Sequence, residues 1–266
     1  LFGALKFSDH PKAKILRIDF SEAEKLSGVI RVVTVKDIPG DRFTGSIITD
    51  WPAMLDEGET TRFIGDVLCG IVAVDEDTAR KAVDLVHVDY EILTPVTDPY
   101  EAIKEDASPV HPDRNNLLEN CIVRRGGDID QAIKNSAYVS SGFYTTQRIE
   151  HAFLETESAV AVPENGTIHL YSEGQGIYVD HKQIIKLLNI PSEKLRVTMV
   201  PCGGGFGGKE DLTVQGHASL FAMLTGLPVK VTLTREESIR MHPKRHPVFM
   251  DFTLACDEKG MLTGLK

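Results

Sequence analysis

Residues 203–210 read Gly-Gly-Gly-Phe-Gly-Gly-Lys-Glu, and no other stretch restricts the options of this chain so tightly. Five of the eight positions are glycine. Glycine admits positive φ and lets a ligand lie directly on the main chain. So dense a run gives up much conformational entropy on ordering, and a bound group that uses the exposed N–H donors would offset that loss. The segment therefore reads as a cradle for an anionic group. It is built from Gly203, Gly204, Gly205, Phe206, Gly207 and Gly208, with Glu210 at its exit. A strand pattern over 195–200 leads in and a helix pattern over 211–224 leads out. The cradle is thus expected at a helix N-terminus, where backbone donors point outward and anions bind. Lys209 would add a full charge there or turn to solvent.

Two nucleotide motifs compete for the same glycines. Gly203, Gly208 and Lys209 fit G-x-x-x-x-G-K, but a phosphate loop continues with Ser or Thr as a magnesium ligand, and here Glu210 follows. Gly203, Gly205 and Gly208 fit G-x-G-x-x-G, but no acid stands about 20 residues further on to hold a ribose; the first is Glu236. A nucleotide-binding protein stays open as a third-ranked alternative, as does a tight turn that binds nothing.

Composition removes other classes. The chain has 266 residues, 42% hydrophobic and 26% charged, which is globular. A net charge of −10 disfavours nucleic acid, which wants a basic stripe. The four cysteines, Cys69, Cys121, Cys202 and Cys256, form no C-x-x-C pair. This argues against a zinc or iron–sulfur site in the chain and for reduced thiols in the cytoplasm. No apolar run is long enough to span a membrane.

Strand patterns at 15–20, 29–35, 67–74 and 86–90 alternate with helix patterns at 21–26 and 75–85. Ser21 with Glu24 has capping-box spacing. This rhythm predicts a compact α+β unit over 1–98. A proline-rich connector with one short helix around 100–104 covers 99–120. From 121 a second unit begins, with a helix from Gly127 and a strand over 137–144. A hairpin over 159–163 and 167–172 turns at Asn165-Gly166, a strong turn signal. A helix over 179–188 and strands over 229–233 and 248–254 follow. The start at Leu1 and the end at Lys266 fall inside structured patterns, so the chain is expected to be a piece of a longer protein. Incomplete strand edges in the second unit would then favour homo-oligomers or aggregation.

The glycine segment resembles the pterin-binding signature of the molybdenum hydroxylases: xanthine dehydrogenase, aldehyde oxidoreductase and carbon monoxide dehydrogenase. Glu150-His151-Ala152-Phe153-Leu154-Glu155-Thr156 is similar to the family's E-H-x-x-L-E segment, and Ser172-Glu173-Gly174-Gln175 to the strand end that carries its glutamine. Arg62-Phe63-Ile64-Gly65-Asp66-Val67 and 79–90 are similar to its hammerhead domain. His242-Pro243-Lys244-Arg245-His246 looks closest to bacterial, selenium-associated xanthine dehydrogenase-like members. The resemblance implies an α+β chain: a hammerhead α/β domain over 1–98, a connector over 99–120, and the N-terminal part of a molybdopterin-binding domain over 121–266.

It also implies roles. Molybdopterin would lie on Gly203, Gly204, Gly205, Phe206, Gly207 and Gly208. Gln175 would donate its amide to an oxygen ligand of molybdenum, and Phe206 would pack against the metal's ligands. Glu210 would orient a purine-like heterocycle or aldehyde. Iron–sulfur clusters and FAD would sit on partner domains or subunits. The family's base glutamate and arginines are not found up to Lys266, so this piece alone is expected not to turn over. On residue chemistry alone, Gln175 reads first as a core amide bonded to backbone, and a first-turn carboxylate favoured by the helix dipole competes for Glu210. A function of another class, a non-catalytic assembly module that binds partner subunits, also stays open. His151 beside Glu150 offers acid–base chemistry but reads as structural. His242 and His246 have i, i+4 spacing, which Pro243 and Pro247 spoil for a helical metal site. Glu155 and Glu157 are expected on one strand face, solvated or paired near the site.

Overall fold

The computed structural model describes residues 1–111 and 114–266; Pro112, counted among the connector prolines, lies outside them. In chain order the elements are β1 (Phe2–Phe7), β2 (Ala13–Asp19), α1 (Ser21–Lys25), β3 (Val29–Val33), β4 (Phe43–Thr44), β5 (Trp51–Pro52), β6 (Val67–Ala73), α2 (Glu76–Asp84) and β7 (His87–Ile92). Then come α3 (Pro99–Ala102), α4 (Ile129–Lys134), β8 (Tyr138–Thr146), β9 (Ser158–Glu164), β10 (Thr167–Ser172), α5 (Ile177–Leu187) and β11 (Leu195–Met199). The last are α6 (Val214–Thr225), β12 (Val229–Thr232), α7 (Arg235–Met241), β13 (Val248–Cys256) and β14 (Leu262–Leu265).

These elements form two compact units. One comprises Leu1–Pro95 with His151–Pro243, the other Val96–Glu150 with Lys244–Lys266. A seven-stranded mixed sheet, ordered β11-β10-β9-β12-β1-β6-β3, runs through the first. Its joint is the parallel pairing of β1 with β12, Phe2 opposite Lys230. Sequence patterning misses β1, because the strand acquires its partners only from β6 and β12, far away along the chain.

β6 is buried at every residue, since helices cover both sheet faces. Cys69 and Ile71 pack with Ala82 of α2, while Val72 packs with Phe221 of α6. Gly70 and Gly3 make room for that ring: a Cβ on Gly3 would come within 2.8 Å of Phe221, and one on Gly70 would strike it. A strand enclosed on both sides must be apolar throughout, and so its continuous hydrophobic run is legible in sequence.

Local chemistry sets several ends. Asp75 caps α2 by accepting from the Thr78 N–H at 2.7 Å. Thr234 and Glu237 form a capping box on α7. Gly226, at φ 68°, closes α6 in the left-handed region. The expected cap on α1 is not made: Phe20 is the capping position and Ser21 lies inside the helix. Its N–H instead donates to the Asp19 carboxylate at 3.0 Å.

The second unit is a three-stranded antiparallel sheet, ordered β14-β13-β8, with α3 and α4. Ile129 and Ile133 of α4 lie over Gly264 of β14. Tyr138, Phe143, Tyr144, Phe252 and Leu262 of its strands are exposed. No helix among the described residues is long and apolar enough to cross a membrane.

Candidate functional site: the glycine loop and its glutamine

β10 and β11 run parallel, Ser172 opposite Met199, so their C-terminal ends emerge side by side. The segment carrying Gln175 leaves one end and the glycine loop leaves the other. The two are stitched together at several points. The Gln175 N–H donates to the Lys209 carbonyl at 2.8 Å. The Gln175 side-chain oxygen Oε1 accepts from the Gly207 N–H at 3.1 Å and the Lys209 N–H at 3.2 Å. With Oε1 committed to two donors, Nε2 must be the outward end of the amide, and it makes no hydrogen bond to the described residues.

The loop changes backbone hand more than once. Gly204, Phe206 and Gly207 have φ of 103°, 53° and 88°. Phe206 is the informative one: a non-glycine residue held in the left-handed region and 75% exposed. The N–H groups of Gly204, Gly205 and Phe206 make no hydrogen bond to the described residues. Successive free donors in backbone of changing hand form an anion-accepting concavity. The donor set thus fits a group bearing phosphate or oxo oxygens.

The glycines serve two purposes. Gly204 and Gly207 permit the positive φ. Gly203, Gly205 and Gly208 accommodate the protein's own side chains, since a Cβ on each would strike Glu155, the Gln175 amide or the His151 ring. Glu155 also accepts the Gly203 N–H at 2.9 Å, and Gly208 N–H donates to Gly205 O at 2.8 Å.

Three expectations about this region are corrected. α6 starts at Val214, not at Asp211, and its capping residue Thr213 has φ −114° and ψ −96° with no side-chain cap. Residues 209–213 therefore separate the loop from the helix, and the unpaired donors of 204–206 belong to the loop and not to a helix N-terminus. Glu210 is accordingly not a first-turn carboxylate; it is exposed, with its carbonyl near Gly176 in the Gln175 segment. Lys209 neither faces solvent nor projects to a ligand. Its ammonium is buried and donates to the Glu155 carbonyl at 2.8 Å and Glu173 Oε2 at 3.0 Å. Burial pushes the Glu173 carboxyl up, and the ammonium offsets that only in part.

Glu155 and Glu157 do not share a strand face, because β9 begins only at Ser158. Glu155 is exposed, whereas Glu157 is buried with its carboxylate 3.0 Å from His242 Nδ1. Burial works upward on Glu157, but the His242 and Ser238 contacts outweigh it and hold the carboxyl below its ordinary value. The His242 ring lies 4.8 Å from that of Phe153. Glu150 pairs with Lys244 at 2.9 Å. Behind the Gln175 turn lies Asp180, which sequence patterning did not single out. It is fully buried in the first turn of α5, accepts from Ser172 Oγ at 3.3 Å, and has an unpartnered Oδ1. Burial pushes this carboxyl up to about 7.

Residues 110–266 match the family model "Molybdopterin cofactor-binding domain". Residues 1–94 match "Aldehyde oxidase and xanthine dehydrogenase, a/b hammerhead domain". The chain is 36% identical, over 98% of its length, to a probable xanthine dehydrogenase subunit of Bacillus subtilis, of which it spans 35%. It is 32% identical to the nicotinate dehydrogenase large molybdopterin subunit of Eubacterium barkeri, covering 100% of this chain and 62% of that one. Among solved structures, the aldehyde oxidoreductase of Desulfovibrio gigas superposes with a TM-score of 0.93 at 26% identity, over 98% of this chain and 30% of that one. The chain belongs to the molybdenum hydroxylase family of xanthine dehydrogenases and aldehyde oxidoreductases.

Proposed function

We propose that this chain supplies the molybdopterin cradle of a hydroxylase that oxidises a purine-like heterocycle or an aldehyde with oxygen derived from water. The observation that carries the reading is the Gln175 amide. Its oxygen is clipped to the glycine loop, which turns its NH₂ outward beside the free N–H groups of Gly204, Gly205 and Phe206. Molybdopterin, when bound, supplies the two-electron redox chemistry. The chain's own residues bind and orient. Gln175 Nε2 and the three loop donors hold oxygen atoms of the cofactor. The exposed Phe206 ring walls the cofactor and the reacting face of the substrate. Glu210 accepts a ring N–H, so that a heterocycle is favoured over a plain aldehyde. The similarity to xanthine and nicotinate dehydrogenase subunits supports that preference.

In this reading residues 1–98 are the hammerhead domain, 99–120 the connector and 121–266 the first part of the cofactor-binding domain. Iron–sulfur clusters and FAD on partner domains or subunits would supply the onward redox capacity, in the cytoplasm. The test is molybdenum and pterin content of the assembled enzyme, followed by turnover of xanthine, nicotinate and benzaldehyde with an artificial electron acceptor. Glu210→Gln should lower kcat/KM for the heterocycles by about a hundredfold more than for benzaldehyde. Equal losses would remove Glu210 from substrate recognition. Absence of molybdenum would favour the assembly-module reading instead, and nucleotide binding by a metal-free protein would favour the third.

A further inference from the structure

Within the glycine loop one long charged side chain turns inward. Lys209 is only 2% exposed. An ammonium has three N–H donors, and here each has an acceptor: the Glu155 carbonyl at 2.8 Å, Glu173 Oε2 at 3.0 Å and Cys202 Sγ at 3.6 Å. The Phe153 ring lies 4.5 Å from Nζ. No donor is left for a phosphate. The main chain of the same residue meets Gln175 twice, giving its N–H to Gln175 Oε1 and accepting the Gln175 N–H. Glu173, two residues before Gln175, supplies the countercharge that a buried ammonium requires.

We propose that Lys209 is a positioning residue: its ammonium ties the glycine loop to the strand end that carries Gln175 and thereby sets where the Gln175 amide points, and it does not itself bind the cofactor. The inference rests on the molybdopterin reading above. Lys209→Met alone leaves Glu173 buried without a countercharge. Lys209→Met with Glu173→Gln removes both charges at similar volume. A pinning role therefore predicts rescue by the second change, and direct phosphate binding predicts none.

The experiment compares wild type, both single variants and the double variant in the assembled enzyme. Molybdenum per protomer should fall about tenfold in Lys209→Met and return to within about threefold of wild type in the double variant. In the fraction of Lys209→Met that retains molybdenum, kcat per molybdenum should drop about tenfold with KM changed less than about twofold, because the amide is misaimed and the substrate wall is untouched. A double variant no better than Lys209→Met, or an unchanged kcat per molybdenum, overturns the proposal. If the wild type holds no molybdenum, the molybdopterin reading fails and a cofactor-free measurement decides the pin. Limited proteolysis of the cofactor-free protein, followed by peptide mapping, should cut near 203–208 about threefold faster in Lys209→Met and at close to the wild-type rate in the double variant. Equal cleavage in all variants overturns the pin.

Discussion

Asp180 lies directly under the Gln175 turn: a methyl placed on Gly174 would come within 2.8 Å of its Oδ2. The carboxyl is fully buried and one oxygen has no partner. Burial, aided by nearby Asp211, pushes it from 3.8 to about 7. Each pKa unit corresponds to about 1.4 kcal/mol, so the ionised form is disfavoured by roughly 4 kcal/mol in the folded state. The sign follows from proton linkage. The native state holds a proton that the unfolded chain has already lost, so stability falls as pH rises. The contribution of the neutral acid is complete below the unfolded value near 3.8 and gone above about 7. Asp180→Asn stays neutral throughout. Its unfolding free energy should pull ahead of the parent's by about 3 kcal/mol between about pH 5 and pH 8. Urea unfolding followed by fluorescence of Trp51, the single tryptophan, reads the same compact unit that holds Asp180. A gap constant to within about 0.5 kcal/mol over that range would refute the reasoning, because it would mean that Asp180 titrates as an ordinary surface acid.

Other perturbations separate the two uses of the glycines. Gly205→Ala drives a methyl into the Gln175 amide. It should break both loop hydrogen bonds, destabilise by about 2 kcal/mol in urea unfolding and lower molybdenum content. Gly207→Ala meets nothing within 4 Å but sits at φ 88°; about 1 kcal/mol of strain is expected, with Gln175 undisturbed and molybdenum retained. Away from the site, Gly70→Ala should cost about 1–3 kcal/mol by overpacking against Phe221, and adding Phe221→Leu should recover part of that loss in the same assay.

Much of this was readable before any coordinates. The Asn165-Gly166 turn has φ of 50° and 74°, as a two-residue hairpin with those residues requires. The Asp75 cap and the all-apolar β6 are equally direct, because each depends on neighbours or on burial alone. What sequence could not show depends on distant partners. β1 becomes a strand between β6 and β12, and nothing in Phe2–Phe7 encodes that pairing. The glycines signalled close approach but not by whom, and three of them face Glu155, Gln175 and His151. Lys209 reads as a solvent-facing or ligand-facing charge until Glu173, Glu155 and Cys202 are seen around it. Asp180 gave no signal, since an acid in the first turn of a helix is ordinary unless its burial is known.

The central claim is that the outward amide of Gln175 and the free donors of 204–206 hold the cofactor. Anomalous diffraction at the molybdenum edge, on crystals of the loaded enzyme, tests it most directly. The account predicts a single molybdenum peak beside the Gln175 amide and the Phe206 ring, with pterin density along the loop. A molybdenum peak remote from Gln175, with the loop donors turned to solvent, would contradict it.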